Sequence, residues 1–153
     1  MHQNTKIKPR RSLLFIPANR PDRFEKALAS GADMVCLELE DGVAQGEKEL
    51  ARENMVAFFN ARSSLPAYPE ILVRINAPEE PIGKADLEAV LNLACIPTAL
   101  MIPKVRRADD VTELDKKLAA AAPDMAIYLL IETAEALEYA SNIAVASQHI
   151  KML

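Results

Sequence analysis

Residues 34–42, MVCLELEDG, combine two patterns that decide the predicted fold: an unbroken apolar run, and a group of acids where that run ends. Short apolar runs without strict alternation are typical of parallel strands that are covered on both faces. Further runs of this kind lie at residues 12–17, 71–75, 99–103 and 126–131, and residues 150–153 resemble the start of another. The sequence therefore predicts five strands and the opening of a sixth.

A segment with helical periodicity follows each of the five runs, at residues 20–30, 47–60, 84–94, 109–122 and 133–147. Repeated strand–helix units predict parallel strands with right-handed crossovers, arranged as an open doubly wound sheet or a closed barrel. A nucleotide-binding doubly wound sheet needs a Gly-rich loop after its first strand, whereas residues 17–20, PANR, contain no glycine. We therefore predict the α/β class and a (β/α)8 TIM barrel.

The predicted barrel domain covers residues 11–153 and follows a polar N-terminal leader over residues 1–10. Because such barrels typically run to about 250 residues, the chain is expected to hold only about the first five to six βα units, a partial barrel. Cys36 and Cys95 have no CxxC partner or clustered histidines and are predicted to be buried free thiols.

Charge and hydropathy narrow the possible partners. The formal net charge of -4 is spread along the chain, which indicates no nucleic-acid surface. No apolar stretch approaches the roughly 18 residues of a membrane helix, and the leader lacks the apolar centre of a secretory signal. We therefore expect a cytoplasmic protein that binds neither nucleic acid nor membrane.

Charged residues stand at the carboxyl ends of four predicted strands, which is where (β/α)8 barrels assemble their active sites. Residues two apart share one face of a strand, so these side chains converge if that face points inward. Buried charges of this kind need an opposite charge or a metal, so the alternative to a binding site is a ring of ion pairs that satisfy one another. The residues at these ends are Glu38, Glu40, Asp41, Arg74, Asn76, Lys104 and Glu132.

The residue types at these ends favour magnesium and an anionic substrate. Glu132 and the pair Glu40 and Asp41 offer the hard oxygen ligands that Mg²⁺ prefers, whereas zinc would require His or Cys. Arg74 carries a planar fork that matches a carboxylate. Lys104 allows two interpretations: it neutralises an anion, or it loses its proton and forms a Schiff base with a carbonyl substrate.

These motifs together resemble the HpcH/HpaI aldolase and citrate lyase beta-subunit family over nearly the whole chain from Arg11 onward. Each motif is short, and the likeness depends on finding all of them in this order and at this spacing. They are RSLLFIPANRPD at residues 11–22, ASGAD at 29–33, LEDGV at 39–43, VRIN at 73–76, IPKV at 102–105 and IET at 131–133.

The resemblance implies a (β/α)8 barrel and Mg²⁺-dependent cleavage or condensation of citryl-CoA-, malyl-CoA- or related 3-hydroxy acyl-CoA-type substrates. It implies that Glu132 is a direct metal ligand and that Arg74 holds the substrate carboxylate. Glu40 and Asp41 would be an acidic catalytic pair that orders metal-bound water, while Lys104 and Arg20 would contact the acyl-CoA or keto acid less directly.

The family takes a second metal carboxylate from just beyond a sixth strand, so that ligand is expected past Leu153. Two alternatives stay open beside the magnesium lyase: a metal-free aldolase with Lys104 as the Schiff-base nucleophile, and an inactive half-barrel that serves as an assembly partner. We expect a homo-oligomer in either enzymatic case.

Overall fold

The computed structural model describes residues 10–153, so the predicted leader lies almost entirely outside the described residues. Each predicted apolar run forms a strand, and the final residues form a sixth, as predicted. The six strands pair in parallel in sequential order, 1-2-3-4-5-6. They are β1 (Leu13–Pro17), β2 (Met34–Glu38), β3 (Glu70–Arg74), β4 (Ala99–Ile102), β5 (Ala126–Leu129) and β6 (Ile150–Met152).

Helices fill every crossover between these strands. Two of them are preceded by short 3-10 turns, at Pro21–Arg23 and Gln45–Glu47. The helices are α1 (Phe24–Leu28), α2 (Lys48–Asn60), α3 (Pro81–Leu91), α4 (Ala108–Ala121), α5 (Ala134–Glu138) and α6 (Ala140–Ala144).

Two helical segments differ from the predicted bounds by more than two residues. The helix predicted over residues 84–94 begins three residues earlier, at Pro81, because the fixed φ of proline suits the first turn and its missing N–H is not needed there. The helix predicted over residues 133–147 divides at Tyr139, where φ is −101° and ψ is 15°. The guanidinium of Arg107 lies 4.9 Å from the ring centroid of this tyrosine.

Alternate strand residues supply two separate apolar clusters. Positions such as Val35 and Leu37 pack with helical residues in the larger cluster. The intervening positions, among them Cys36, Leu72 and Tyr128, form a smaller buried cluster made of strand residues and their immediate extensions. Helices on one face of a sequentially ordered parallel sheet are the arrangement of a (β/α)8 barrel, so the chain forms a partial barrel and the smaller cluster lies on its inner side.

The amino ends of the strands carry two buried acids with full sets of partners. Asp33 accepts the backbone N–H groups of Arg11 and Ser12 at 2.8 and 3.2 Å, and the Arg11 guanidinium and Tyr68 hydroxyl at 2.9 Å each. These donors hold the pKa of Asp33 well below its usual range, the Arg11 guanidinium contributing most.

The second buried acid, Glu70, lies on the inner side of the sheet. Its Oε2 accepts hydrogen bonds from the Arg10 guanidinium at 2.9 Å and from the Tyr128 hydroxyl at 3.0 Å. Burial, followed by the bond to Glu70, raises the pKa of Tyr128 to about 12. Tyr128 therefore stays neutral and donates to the carboxylate at any ordinary pH.

Both cysteines are buried free thiols, as predicted. Burial raises the pKa of the Cys36 thiol well above its usual value, which makes it an unreactive part of the inner cluster. None of the helices between residues 10 and 153 combines the length and the apolar character needed to cross a bilayer.

Candidate active site

Glu38 and Arg74 face each other because β2 and β3 pair in register at these two residues. Both lie on the inner side of the sheet, and the Arg74 Nη1 atom donates to Glu38 Oε2 at 3.1 Å. Burial raises the pKa of Glu38, and the Glu40 N–H group and Arg74 oppose that rise only in part. The last residues of β2 and β3 therefore place a negative and a positive charge inside the barrel rim.

Arg74 binds two further acids from the loop after β2. Its Nη2 atom forms an ion pair with Glu40 and another, at 3.3 Å, with Asp41. Burial works to lower the pKa of Arg74, but the carboxylates of Glu38 and Glu40 outweigh it and raise the value overall. One guanidinium thus contacts three carboxylates, of which only Asp41 is exposed to solvent.

The tight turn that brings these acids together depends on Gly42. A Cβ atom at this position would lie 2.8 Å from the Glu38 Cγ atom, closer than side chains tolerate. The Glu40 N–H group donates to Glu38 Oε1 at 2.5 Å, so the chain folds back over the end of its own strand.

Lys104 connects β4 and β5 to the same cluster. Its backbone has a left-handed φ of 55°, which is uncommon for a residue with a side chain and is often found at functional sites. Its Nζ atom lies 2.8 Å from Glu40 Oε1, and its backbone N–H group donates to Glu132 Oε1 at 2.9 Å. We call Glu38, Glu40, Asp41, Arg74, Lys104 and Glu132 the rim cluster.

The sequence-based reason for placing Lys104 in this cluster was wrong, although its position was right. Strand alternation groups Lys104 with Ile102, and Ile102 packs against the helices rather than toward the inner side. The left-handed turn at Lys104 breaks the alternation and redirects the side chain to Glu40. Strand alternation also places Asn76 on the same face as Arg74, yet Asn76 bonds to Lys48 and Asp86 instead.

The rim cluster is not a ring of ion pairs that satisfy one another. Four carboxylates face two cations, which leaves a net charge of −2 when all six groups are ionised. Both oxygens of Glu40 are buried, and although Arg74 and Lys104 lie within ion-pair distance, neither oxygen has a hydrogen bond of good geometry. The ion pairs of the rim cluster therefore leave an excess of negative charge at this end of the barrel.

The residues present fit a magnesium site in part. Mg²⁺ keeps several waters and needs only one or two protein carboxylates. Glu132 is exposed at the rim, and the Lys104 N–H group fixes one of its oxygens, while none of residues 10–153 donates such a bond to the other oxygen. Within residues 10–153 no three acidic, His or Cys side chains form a ready-made metal cage. Glu132 therefore fits as a single carboxylate ligand backed by buried acids.

Arg20 does not join the rim cluster. It follows β1 at the same end of the barrel, but its guanidinium forms two hydrogen bonds of 3.0 Å with the neighbouring Asp22. Both side chains of this pair are largely exposed. The predicted role of Arg20 in substrate binding stays a prediction.

Sequence reasoning missed two residues beneath the cluster, Lys48 and Asp86. Both are buried, and both contact Asn76. A signal for each was present: Lys48 begins a helix, where positive charge is unfavourable, and Asp86 interrupts the apolar stripe of α3 between Gly83 and Val90.

The fold and this rim define the class: a (β/α)8-barrel-type protein with acids, an arginine and a lysine gathered at the carboxyl ends of its strands. The sequence profile of the HpcH/HpaI aldolase/citrate lyase family matches residues 11–153. The chain belongs to this family, as the sequence motifs predicted.

Named relatives agree with this assignment. The chain is 40% identical over 141 residues to a citrate lyase subunit beta-like protein of Mycobacterium tuberculosis, covering 92% of this chain and 45% of that protein. It is 34% identical over 153 residues to an L-malyl-CoA/beta-methylmalyl-CoA lyase of Cereibacter sphaeroides, covering 95% and 48%. The chain thus spans about half the length of the curated relatives it matches.

A solved structure confirms the fold. The citrate lyase beta subunit of M. tuberculosis, complexed with oxaloacetate and magnesium, superposes with a TM-score of 0.73 at 36% identity, over 94% of this chain and 58% of that one.

Proposed function

We propose that these residues form the catalytic rim of a magnesium-dependent carbon–carbon lyase that acts on a citryl-CoA-, malyl-CoA- or related 3-hydroxy acyl-CoA. The observation that carries the proposal is the rim cluster, in which Arg74 and Lys104 meet an excess of carboxylates at one end of the barrel. The presence of oxaloacetate and magnesium in a related structure supports the same chemistry.

Arg74 would bind the substrate carboxylate at the position that Asp41 occupies in this structure. That contact, at 3.3 Å, is the longest of its three, and Asp41 is the exposed member of the cluster. A substrate carboxylate can therefore replace Asp41 on the Nη2 atom without breaking the buried pairs with Glu38 and Glu40. The new contact would be a charge-assisted hydrogen bond of the same kind as the one that Asp41 gives up.

Glu132 would hold the metal together with waters and oxygen donors from outside this stretch. Mg²⁺, when bound, would polarise the keto-acid oxygens and stabilise the negative charge that develops as the carbon–carbon bond breaks. Glu40 and the displaced Asp41 would accept hydrogen bonds from water at the rim. Lys104 would hold Glu40 and Glu132 in place through its two contacts and neutralise an incoming anion, while Arg20 would meet the outer part of the acyl-CoA.

The test is cleavage of citryl-CoA and malyl-CoA by the full-length protein, with magnesium and with a chelator. We expect chelator-sensitive cleavage that Glu132→Ala and Arg74→Ala abolish. Glu135→Ala changes a half-buried acid paired with Arg107, serves as the matched control and keeps activity. Unchanged cleavage in both rim variants would reject the proposal.

The Schiff-base alternative is disfavoured by the contacts of Lys104. The bond to Glu40 raises the pKa of its ammonium group, whereas a nucleophilic lysine must lose its proton. Borohydride with substrate would trap a covalent adduct on Lys104 if this alternative held, and a chelator would then have no effect. The inactive assembly partner is tested in the same assay, since measurable turnover excludes it. A cytoplasmic, homo-oligomeric enzyme stays our expectation.

A further inference from the structure

Beneath the rim cluster lies a buried polar network formed by Lys48, Asn76 and Asp86. Lys48, the first residue of α2, donates to the carbonyl oxygens of Leu39 and Glu40 and, at 2.8 Å, to Asn76 Oδ1. Its three ammonium protons thus have three acceptors, two of them backbone groups on the loop that carries Glu40.

Asn76 extends the network to the next strand. Its side-chain amide donates to Leu39 O at 2.9 Å and to Asp86 Oδ2 at 2.6 Å. Its backbone N–H group also donates to Asp86 Oδ2, at 3.0 Å. The loops that follow β2 and β3 are therefore fastened both to each other and to α3.

Asp86 reaches this position because α3 packs unusually close to the loop after β3. A Cβ atom at Gly83 would lie 2.0 Å from the carbonyl oxygen of Ala77, so only glycine permits the approach. Asp86 follows one helical turn later and is fully buried. Its Oδ1 atom accepts a hydrogen bond from the Arg52 guanidinium at 2.8 Å.

The network is costly for the fold. Burial lowers the pKa of the Lys48 ammonium, the nearby carboxylates of Glu40 and Glu38 oppose that change only in part, and the charge also stands unfavourably at the start of a helix. A neutral apolar residue would pack there at less cost. What the ammonium supplies, and an apolar side chain cannot, is a fixed backbone at Leu39 and Glu40.

We propose that Lys48, with Asn76 and Asp86, is a positioning residue that sets the Glu40 carboxylate against Arg74 and Lys104. The inference rests on the proposed function for its kinetic consequence, but its structural content is independent of any substrate. Glu40 also forms ion pairs with Arg74 and Lys104, but no described residue gives its oxygens a hydrogen bond of good geometry, so the orientation of the carboxylate depends on the backbone that Lys48 holds.

The experiment compares Lys48→Met with Arg52→Met in the full-length protein. Both variants remove a cation from α2 next to the same network, but only Lys48 contacts the Leu39–Glu40 backbone. We expect Lys48→Met to lower kcat about a hundredfold, the cost of a misplacement of about 1 Å, with little change in KM. Arg52→Met should keep most of the activity at comparable stability.

Hydrogen exchange provides a readout that does not depend on activity. The amides of Leu39, Glu40 and Val43 are bonded to Arg74 O, Glu38 Oε1 and Glu40 O, so they report on this loop. We expect them to exchange at least about tenfold faster in Lys48→Met but not in Arg52→Met. Should Lys48→Met fail to fold, Lys48→Gln, which can donate to one carbonyl, is expected to show an intermediate rate.

The outcomes separate the two proposals. If wild-type protein cleaves no acyl-CoA, the proposed function fails, while faster exchange in Lys48→Met still supports the positioning role. Unchanged exchange at residues 39–43, or equal kcat in the two methionine variants, overturns the positioning role even if the lyase activity is confirmed.

Discussion

The two ends of the barrel treat buried acids in opposite ways. At the amino end, Asp33 and Glu70 each have several donors of good geometry. At the carboxyl end, Glu40 is just as buried but has charged neighbours without proper hydrogen bonds, and Glu38 has its pKa raised by burial. The difference indicates that the amino end stabilises the fold, whereas the carboxyl end keeps unsatisfied charge for binding.

The largest expected effect comes from removing the central cation of the carboxyl end. Arg74→Met leaves Glu38 and Glu40 buried without their shared partner, which should lower the free energy of unfolding by about 3–5 kcal/mol. Arg10→Met should cost less, because Glu70 keeps the hydrogen bond from Tyr128 and Arg10 is itself one-third exposed. Urea unfolding of both variants measures the difference, and equal losses would contradict the asymmetry.

A second change separates function from stability at the same end. Glu40→Gln keeps the size of the side chain but removes a charge that lacks good hydrogen bonds, so the unfolding free energy should change by less than about 1 kcal/mol. In the full-length enzyme kcat should fall about a hundredfold, because Arg74 and Lys104 lose their common carboxylate. Steady-state kinetics and urea unfolding of the same variant would show whether kcat falls while the free energy of unfolding stays the same. An unchanged kcat would contradict the catalytic role of Glu40.

The amino end should show the reverse behaviour. Tyr128→Phe removes a hydroxyl that donates to buried Glu70 at 3.0 Å, and because Glu70 keeps the hydrogen bond from Arg10, the loss should cost about 1 kcal/mol of stability. Activity of the folded enzyme should not change, since the Tyr128 hydroxyl bonds to Glu70 at the amino end of β3 and to no member of the rim cluster. Loss of kcat at full folding would mean that the two ends are coupled.

The smallest effect is in the pH dependence of stability. Because the pKa of folded Asp33 is below its unfolded value of about 3.9, its contribution is present above that pH and is lost as the pH falls toward the folded pKa. Asp33→Asn should therefore lower the melting temperature at neutral pH and flatten its decline below about pH 4.

Glu38 provides the opposite sign as an internal comparison. Its folded pKa is raised, so ionisation opposes folding, and Glu38→Gln should hold or raise the melting temperature near neutral pH. Melting curves between about pH 2.5 and 7 would test both variants. If the melting temperatures of Asp33→Asn and Glu38→Gln changed with pH in the same way, the predicted difference between the two acids would be wrong.

The sequence alone determined the strand order and most of the rim. Apolar runs and helical periodicity are local properties, so they located every strand, and the residues after each strand had to meet at one edge because the strands are parallel. The chain motifs also identified the family. These inferences depend only on local sequence patterns and on the rules of strand connection, which exclude most other arrangements of the strands.

Tertiary structure alone decided how the charges meet. The left-handed turn at Lys104, the close packing at Gly83 and the buried contacts of Lys48 and Asp86 arise between segments far apart in sequence. Strand alternation misassigned Lys104 and Asn76 because it holds only while the chain stays extended. Burial and long-range partners determine the free energy of each charge, and neither can be read from a residue's immediate neighbours.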